Sequence, residues 1–190
     1  MNRNFDNITY THACNTAGII SFPEAHYNMV RPGISLYGHL PNENLKEKID
    51  LIPATVLKSK IIYIHEEPTG DSISYNRTYT VKEPSKVATV PIGYADGLMR
   101  CYKGKAVVNG KLANILGIIN MDSFMIDITD FEDVKVGTDV YVWDNKNITM
   151  EDVARDCGTI NYEILSGLAP RVVKEFISNG KYRFESKKRN

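Results

Sequence analysis

Four short stretches hold residue types able to do chemistry, and each also has an ordinary structural use. In Pro91-Ile92-Gly93-Tyr94-Ala95-Asp96-Gly97 a tyrosine stands between two glycines, just past the apolar run Val87 to Ile92. A phenol has an ordinary pKa of about 10, so it serves as an acid or base near neutrality only when something such as a nearby cation lowers that value. The alternative is a tyrosine packed into its own loop. In Asn28-Met29-Val30-Arg31-Pro32-Gly33-Ile34-Ser35-Leu36-Tyr37-Gly38 an arginine lies in an apolar, strand-like run. A buried, unpaired charge is very costly, so Arg31 needs a partner, either a ligand or a plain salt bridge. Gly33 lets backbone come close to a ligand.

The other two stretches are His12-Ala13-Cys14-Asn15-Thr16-Ala17-Gly18 and Gly117-Ile118-Ile119-Asn120-Met121-Asp122-Ser123-Phe124. The first offers hydroxyl and backbone N–H groups to an anion at a strand end, or caps a strand-to-helix turn with Asn15 and Thr16. The second sets backbone amides at a bend beside Asp122, which suits a substrate carboxylate or a partner side chain. A β-bulge with a capping aspartate uses the same residues.

The elements that must position these groups are mostly strands. Leu51–His65, Ser72–Thr80, Lys86–Ile92, Ile115–Ile119, Phe124–Ile128 and Val140–Trp143 are short apolar or alternating runs at roughly ten-residue spacing, the pattern of a β-sandwich or barrel-like domain. Asn109-Gly110, between Val107-Val108 and Lys111-Leu112, predicts a type I′ hairpin. Thr149 predicts the N-cap of a helix through Cys157, with acids in its first turn and Gly158 just past its end. Residues 8–13 and 29–37 form a separate apolar pair, joined to the rest by the polar run Asn42 to Lys48.

Bulk properties narrow the function classes. With 190 residues and 43% hydrophobic content the chain can bury a real core. Lys plus Arg and Asp plus Glu number 23 each, so no net field recommends nucleic acid or an anionic membrane as partner. Lys187-Lys188-Arg189 reads as a solvated tail. No run approaches the roughly 18 apolar residues of a membrane span, and no signal peptide opens the chain. Cys14, Cys101 and Cys157 lack metal-like spacing, so reduced thiols, a cytoplasmic location and no metal are expected. The strand-like start at Asn7 to His12 is either a natural beginning or the cut end of something longer.

Taken in order, the segments HACNTAG, NMVRPGISLYG, ISYNRTY, PIGYADG, NMDSFMID and INYEIL resemble the C-terminal half of the alanine racemases, which use pyridoxal 5'-phosphate. The resemblance covers residues 8–175. It implies a mostly β chain: residues 1–47 the last two strands of an incomplete (β/α)8 barrel, and residues 48–190 a C-terminal β-domain. An exposed, partly apolar surface is then expected where the rest of a barrel would pack.

The resemblance also implies roles. Tyr94 matches the base that removes the substrate's Cα proton on one face and returns it for the other enantiomer. Arg31 matches the arginine that donates to the cofactor's pyridine nitrogen, and a guanidinium keeps its proton, so that nitrogen stays unprotonated. His12 matches the histidine that fixes this arginine. Thr16, with the Gly33 and Ile34 amides, matches the phosphate cradle, and Asn15 falls in the same set. Met121 and Asp122 match the pair near the substrate carboxylate and the dimer interface, and Tyr75 lies on a strand that lines the entrance. A homodimer, with Tyr94 and Met121 reaching the other subunit, and a role in D-alanine supply for peptidoglycan follow as further implications.

Three departures stand out. The family's Schiff-base lysine lies early in the barrel, and no part of this chain matches that region; the chain alone is expected to be inactive. Asn120 and Ile118 replace the family's frequent cysteine and arginine. Phe176 stands where a phosphate-binding tyrosine is usual, which leaves serine open beside alanine as substrate. A different class of reading is a non-catalytic β-domain, a truncated or degenerate copy used for interaction. A membrane domain upstream of the barrel stays open as well.

Overall fold

Alternating β-branched residues between turn formers build the larger part of the chain. The computed structural model describes residues 7–178 and the backbone of 181–185, so the basic tail at Lys187 to Arg189 lies outside the described residues. Contacts divide the chain into two units, Met1–Thr55 and Val56–Asn190.

In the first unit, helix α1 (Thr16–Ser21) starts at Asn15, whose side chain accepts from the Gly18 amide at 3.0 Å. Residues 8–13 and 29–33, read from sequence as strand-like, carry no ladder. Asn28 explains this: its side chain donates to Thr9 O at 2.9 Å and accepts from Thr11 N at 2.6 Å, taking backbone groups that a strand partner would otherwise use. The expected strand over 29–37 ends in a 3-10 turn, Ile34–Tyr37, because Pro32 cannot donate to a ladder and Gly38 turns left-handed at φ 78°. A side chain at Gly38 would come within 1.8 Å of Ile52 O, so only glycine fits there. Ile8, Tyr10, Phe22, Tyr27, Leu36 and Tyr37 are exposed on this unit.

The second unit is the β-domain. Its strands are β1 (Leu57–Lys60), β2 (Tyr63–Glu67), β3 (Ser72–Ile73), β4 (Tyr79–Thr80), β5 (Ser85–Val90), β6 (Lys105–Val108), β7 (Lys111–Leu116), β8 (Phe124–Asp127), β9 (Asp139–Trp143), β10 (Glu175–Ser178) and β11 (Lys181–Glu185). Seven of them form one antiparallel sheet in the order β1-β9-β6-β7-β8-β5-β2, with β3–β4 and β10–β11 as separate pairs. The sheet curls at β7, whose first residues pair with β6 (Lys105↔Asn114 to Val108↔Lys111) while Ile115 and Leu116 pair with β8. One strand serving two ladders turns the sheet into a half-barrel, and this mostly β architecture is the class that the sequence predicts.

Val87, Ala88 and Val90 of β5, Phe124 and Ile126 of β8, and Val140, Val142 and Trp143 of β9 fill the interior and are essentially inaccessible. The larger of these side chains, valine upward, each contribute about 1.5–3 kcal/mol by leaving water. The β6–β7 hairpin turns at Asn109 (φ 49°) and Gly110 (φ 76°), both left-handed as a type I′ turn requires. Helix α2 (Met150–Asp156) opens on a capping box: Thr149 accepts from Asp152 N at 3.1 Å, and Asp152 accepts from Thr149 N at 2.9 Å. Helix α3 (Asn161–Ser166) and the β10–β11 pair were not expected from sequence; α3 is short and has no side-chain cap at Ile160 to announce it.

The turn after β9 is pinned by a carboxylate. Asp144 accepts from the amides of Lys146, Asn147 and Ile148 at 3.1, 2.8 and 3.1 Å, and from the Asn147 side chain at 2.7 Å. Burial pushes the Asp144 pKa up, but these donors outweigh it and hold the carboxyl down at about 2. A group with a lowered folded pKa contributes stability above its unfolded value and loses it as pH falls. Stability supplied by Asp144 is therefore expected to fade between pH about 4 and about 2. Asp144→Ala should cost about 1–2 kcal/mol at pH 7 and much less at pH 2, read from urea midpoints at both pH values. An equal loss at both would mean that packing, not charge, does the pinning.

Candidate functional site

Tyr94 is positioned by a turn between two strand exits. β5 ends at Val90, and Tyr94–Asp96 forms a 3-10 turn bounded by Gly93 and by Gly97 at φ 101°. The turn lies against the chain entering β8: Tyr94 N donates to Asn120 O and Ala95 N to Met121 O, both at 3.0 Å. This contact explains Gly93. A Cβ there would meet the Asn120 and Met121 carbonyl oxygens at 2.3 Å, far inside van der Waals contact. Gly97 likewise faces the Gly167 carbonyl, which a Cβ would meet at 2.3 Å. Two stretches singled out separately in the sequence, Gly93–Gly97 and Asn120–Asp122, are therefore one structure.

A third strand of chain locks the pair. Arg171 donates from Nε to Asp96 Oδ1 at 2.6 Å and from Nη2 to Asp96 Oδ2 at 3.0 Å, and the same Nη2 reaches Asp122 Oδ1 at 2.7 Å. Asp96 Oδ2 also accepts from the Gly93 amide at 2.9 Å, and Ala169 N donates to Asp96 O at 3.0 Å. Bonding to Asp96 first and to Asp122 second raises the Arg171 pKa above the usual arginine range, so the guanidinium stays charged. Neither Arg171 nor Asp96 entered the set of candidate site residues. Nothing local announces the pairing, because the partners are 75 positions apart; an aspartate inside a Gly-bounded turn was the available clue.

Around this clamp the candidate side chains point outward. Tyr94 is 47% exposed, Met121 52% and Tyr75 69%. Tyr75 does not lie on a strand: it begins a 3-10 turn between β3 and β4, where Ser74, Asn76 and Arg77 have φ of 73°, 59° and 53° and cannot continue a ladder. Ser74 fastens that turn, its hydroxyl accepting from Ile118 N at 3.1 Å. Tyr102, farther along, is a contrasting tyrosine. It is buried, its hydroxyl donates to Lys105 O at 2.7 Å, and burial pushes its pKa well above the usual tyrosine value.

The first unit assembles the other group. Thr16 Oγ1 accepts from Gly33 N at 2.9 Å and shares a hydrogen bond with the Ser35 hydroxyl at 3.1 Å. Arg31 N donates to Cys14 O at 2.9 Å, and Arg31 Nη1 donates to His12 Nδ1. Arg31 is exposed rather than buried in an apolar strand, because the segment that carries it has no ladder to enclose it. Thr16 and Ile34 are buried, and a Cβ at Gly33 would meet Thr16 Oγ1 at 3.8 Å, an ordinary contact distance. Thus His12, Asn15, Thr16, Arg31, Gly33 and Ile34 belong to one unit, and Tyr75, Tyr94, Met121 and Asp122 to the other.

Known proteins resemble this chain over most of its length. Residues 54–176 match the family model of the alanine racemase C-terminal domain, and residues 2–41 match that of the N-terminal domain. Alanine racemase 2 of Caldanaerobacter subterraneus is 44% identical over 179 residues, covering 92% of this chain and 46% of its own. Among solved structures, an alanine racemase of Clostridium difficile superposes with a TM-score of 0.91 at 39% identity, covering 95% of this chain and 48% of that one. The alanine racemase of Bacillus anthracis with bound L-Ala-P gives 0.87 at 39% identity, with 92% and 46% covered. The chain spans about half the length of the curated relatives it matches. No helix among the described residues is long and apolar enough to cross a membrane. With both family models matching over most of its length and a relative 44% identical, the chain belongs to the alanine racemase family.

Proposed function

We propose that this chain supplies the C-terminal part of a pyridoxal phosphate-dependent amino-acid racemase, with Tyr94 as one of its two bases. The observation that carries this is the docking of the Tyr94 turn on the Asn120 and Met121 carbonyls, with the Tyr94 side chain left partly exposed. In this reading residues 1–47 are the end of a barrel, residues 48–190 the β-domain, and a homodimer completes the site.

The residues present suit part of the cofactor. Thr16 offers a hydroxyl and Ile34 a backbone N–H to a phosphate, and the Gly33 N–H, which donates to Thr16 Oγ1 at 2.9 Å here, would turn to the phosphate in its place. Asn15 fixes the start of the helix beside it. Arg31, steadied by His12, presents an N–H that a pyridine nitrogen can accept, and it does not surrender that proton. Pyridoxal phosphate, when bound, supplies an electron-withdrawing ring that acidifies the substrate's Cα–H. Tyr94 then takes or returns the proton on one face. Met121 and Asp122 orient the substrate's carboxylate end, and Tyr75 borders the entrance.

Alanine is the favoured substrate, in keeping with the L-Ala-P found in the Bacillus anthracis relative. Phe176 has no hydroxyl to contribute, and Asn120 and Ile118 alter the surroundings, so serine belongs in the substrate panel. Supply of D-alanine for peptidoglycan in the cytoplasm is the corresponding cellular role.

The test uses the chain itself. Purified 190-residue protein with pyridoxal phosphate should leave L-alanine unracemised, and D-alanine should form once a polypeptide carrying the family's N-terminal barrel is added. Racemisation without that addition would overturn the two-part reading. No racemisation with it would favour a non-catalytic module.

A further inference from the structure

We propose that Arg171 is the positioning residue that aims Tyr94, holding the Tyr94 turn and the Met121–Asp122 segment in one fixed relation. This rests on the reading of Tyr94 as a base. Three kinds of observation carry it. The guanidinium uses both edges of its fork, binding Asp96 bidentately and Asp122 with the shared Nη2. Bidentate geometry fixes direction as well as distance, which a point charge does not. The Asp96 side chain is 15% exposed against 46% for Arg171, so the carboxylate is embedded in the turn and the arginine closes over it from outside.

The second observation is where the clamped groups lead. Asp96 Oδ2 reaches the Gly93 amide, and the residue after Gly93 is Tyr94, whose own amide is held by Asn120 O. Asp122 follows directly on Met121, whose carbonyl holds Ala95 N. Arg171 therefore ties the two ends of one hydrogen-bonded patch that has Tyr94 at its centre.

The third is charge. Asp96 and Asp122 are two carboxylates on adjacent loops, both bound to one guanidinium. Without Arg171 they repel each other and favour parting of the loops that bear them. Exposed ion pairs add little to global stability, so the effect of Arg171 belongs in the local order of the turn rather than in the fold.

Hydrogen exchange of the 190-residue chain, read amide by amide, separates these outcomes. In Arg171→Ala, exchange at Tyr94, Ala95 and Leu98 should rise at least about tenfold, while amides of β5 and β8 keep their wild-type rates. Arg171→Lys keeps the charge and loses the fork, so it should resemble the alanine variant at the turn. Asp122→Ala removes one link only and should give a smaller rise, about threefold, even if the Arg171→Ala variant folds poorly. Unchanged turn exchange, a rise spread equally over the sheet, or full rescue by lysine would each overturn the proposal. Failure of the underlying reading looks different: turn exchange responds to Arg171 as stated, yet Tyr94→Phe leaves racemisation in the completed enzyme untouched.

Discussion

Tyr94→Phe, in an enzyme assembled from this chain and a polypeptide carrying the family's N-terminal barrel, is expected to lower racemisation about 10²–10⁴-fold, the usual contribution of a positioned acid–base group. The ring stays and only the hydroxyl goes, so the docking of Tyr94 N on Asn120 O and of Ala95 N on Met121 O survives. Because the racemisation equilibrium constant is one, net rates from L and D must fall together. Exchange of the Cα hydrogen with solvent distinguishes the faces. One enantiomer should lose its exchange with the phenol, while the other, served by the opposite base, keeps it. The measurement is mass spectrometric incorporation of deuterium into recovered L- and D-alanine in heavy water. Retained racemisation in Tyr94→Phe would remove Tyr94 from the chemistry and leave the β-domain as an interaction module.

Gly93→Ala is expected to damage the 190-residue chain whether or not it is ever part of an enzyme. Gly93 has φ −142°, a conformation alanine adopts freely, so the effect is purely steric. The added methyl would stand 2.3 Å from the Asn120 and Met121 carbonyl oxygens, and these belong to backbone rather than to flexible side-chain ends. Relief requires the turn to move away, which breaks the Tyr94 N and Ala95 N hydrogen bonds and pulls Asp96 from Arg171. Overpacking of this kind costs about 3 kcal/mol, a roughly 150-fold shift in the folding equilibrium. A urea melt reads this directly. A midpoint within error of the wild type would mean that the turn does not dock as described.

How much of this was legible before the fold was known depends on the distance over which each residue acts. Asn109-Gly110 and the Thr149 capping box are complete within a few residues: a left-handed φ pair sets one, and an N–H with its acceptor three positions on sets the other. Both read directly from sequence. The Tyr75 segment did not, since alternating tyrosines suggest a strand, whereas Ser74, Asn76 and Arg77 take positive φ and Ser74 is held by a partner far away at Ile118. Helix α3 lacks a side-chain cap, and the switch of β7 from β6 to β8 depends on register with strands on both sides.

The candidate site divides along the same line. The sequence by itself determined the candidates for chemistry: a tyrosine between glycines, an arginine two residues before a glycine, an Asn-Thr pair before small residues, and the order of motifs that resembles one family. Those are properties of residue type and local spacing, fixed wherever the chain folds. Only the tertiary structure decided that the Tyr94 turn sits on Asn120 and Met121, that Arg171 spans Asp96 and Asp122, and that Arg31 is exposed with His12 as its partner. Each of those is a pairing over tens of residues, set by which strands share a ladder and which carbonyls face a turn. A one-dimensional pattern carries no sign of that, because many distant donors and acceptors are chemically alike and only packing selects among them.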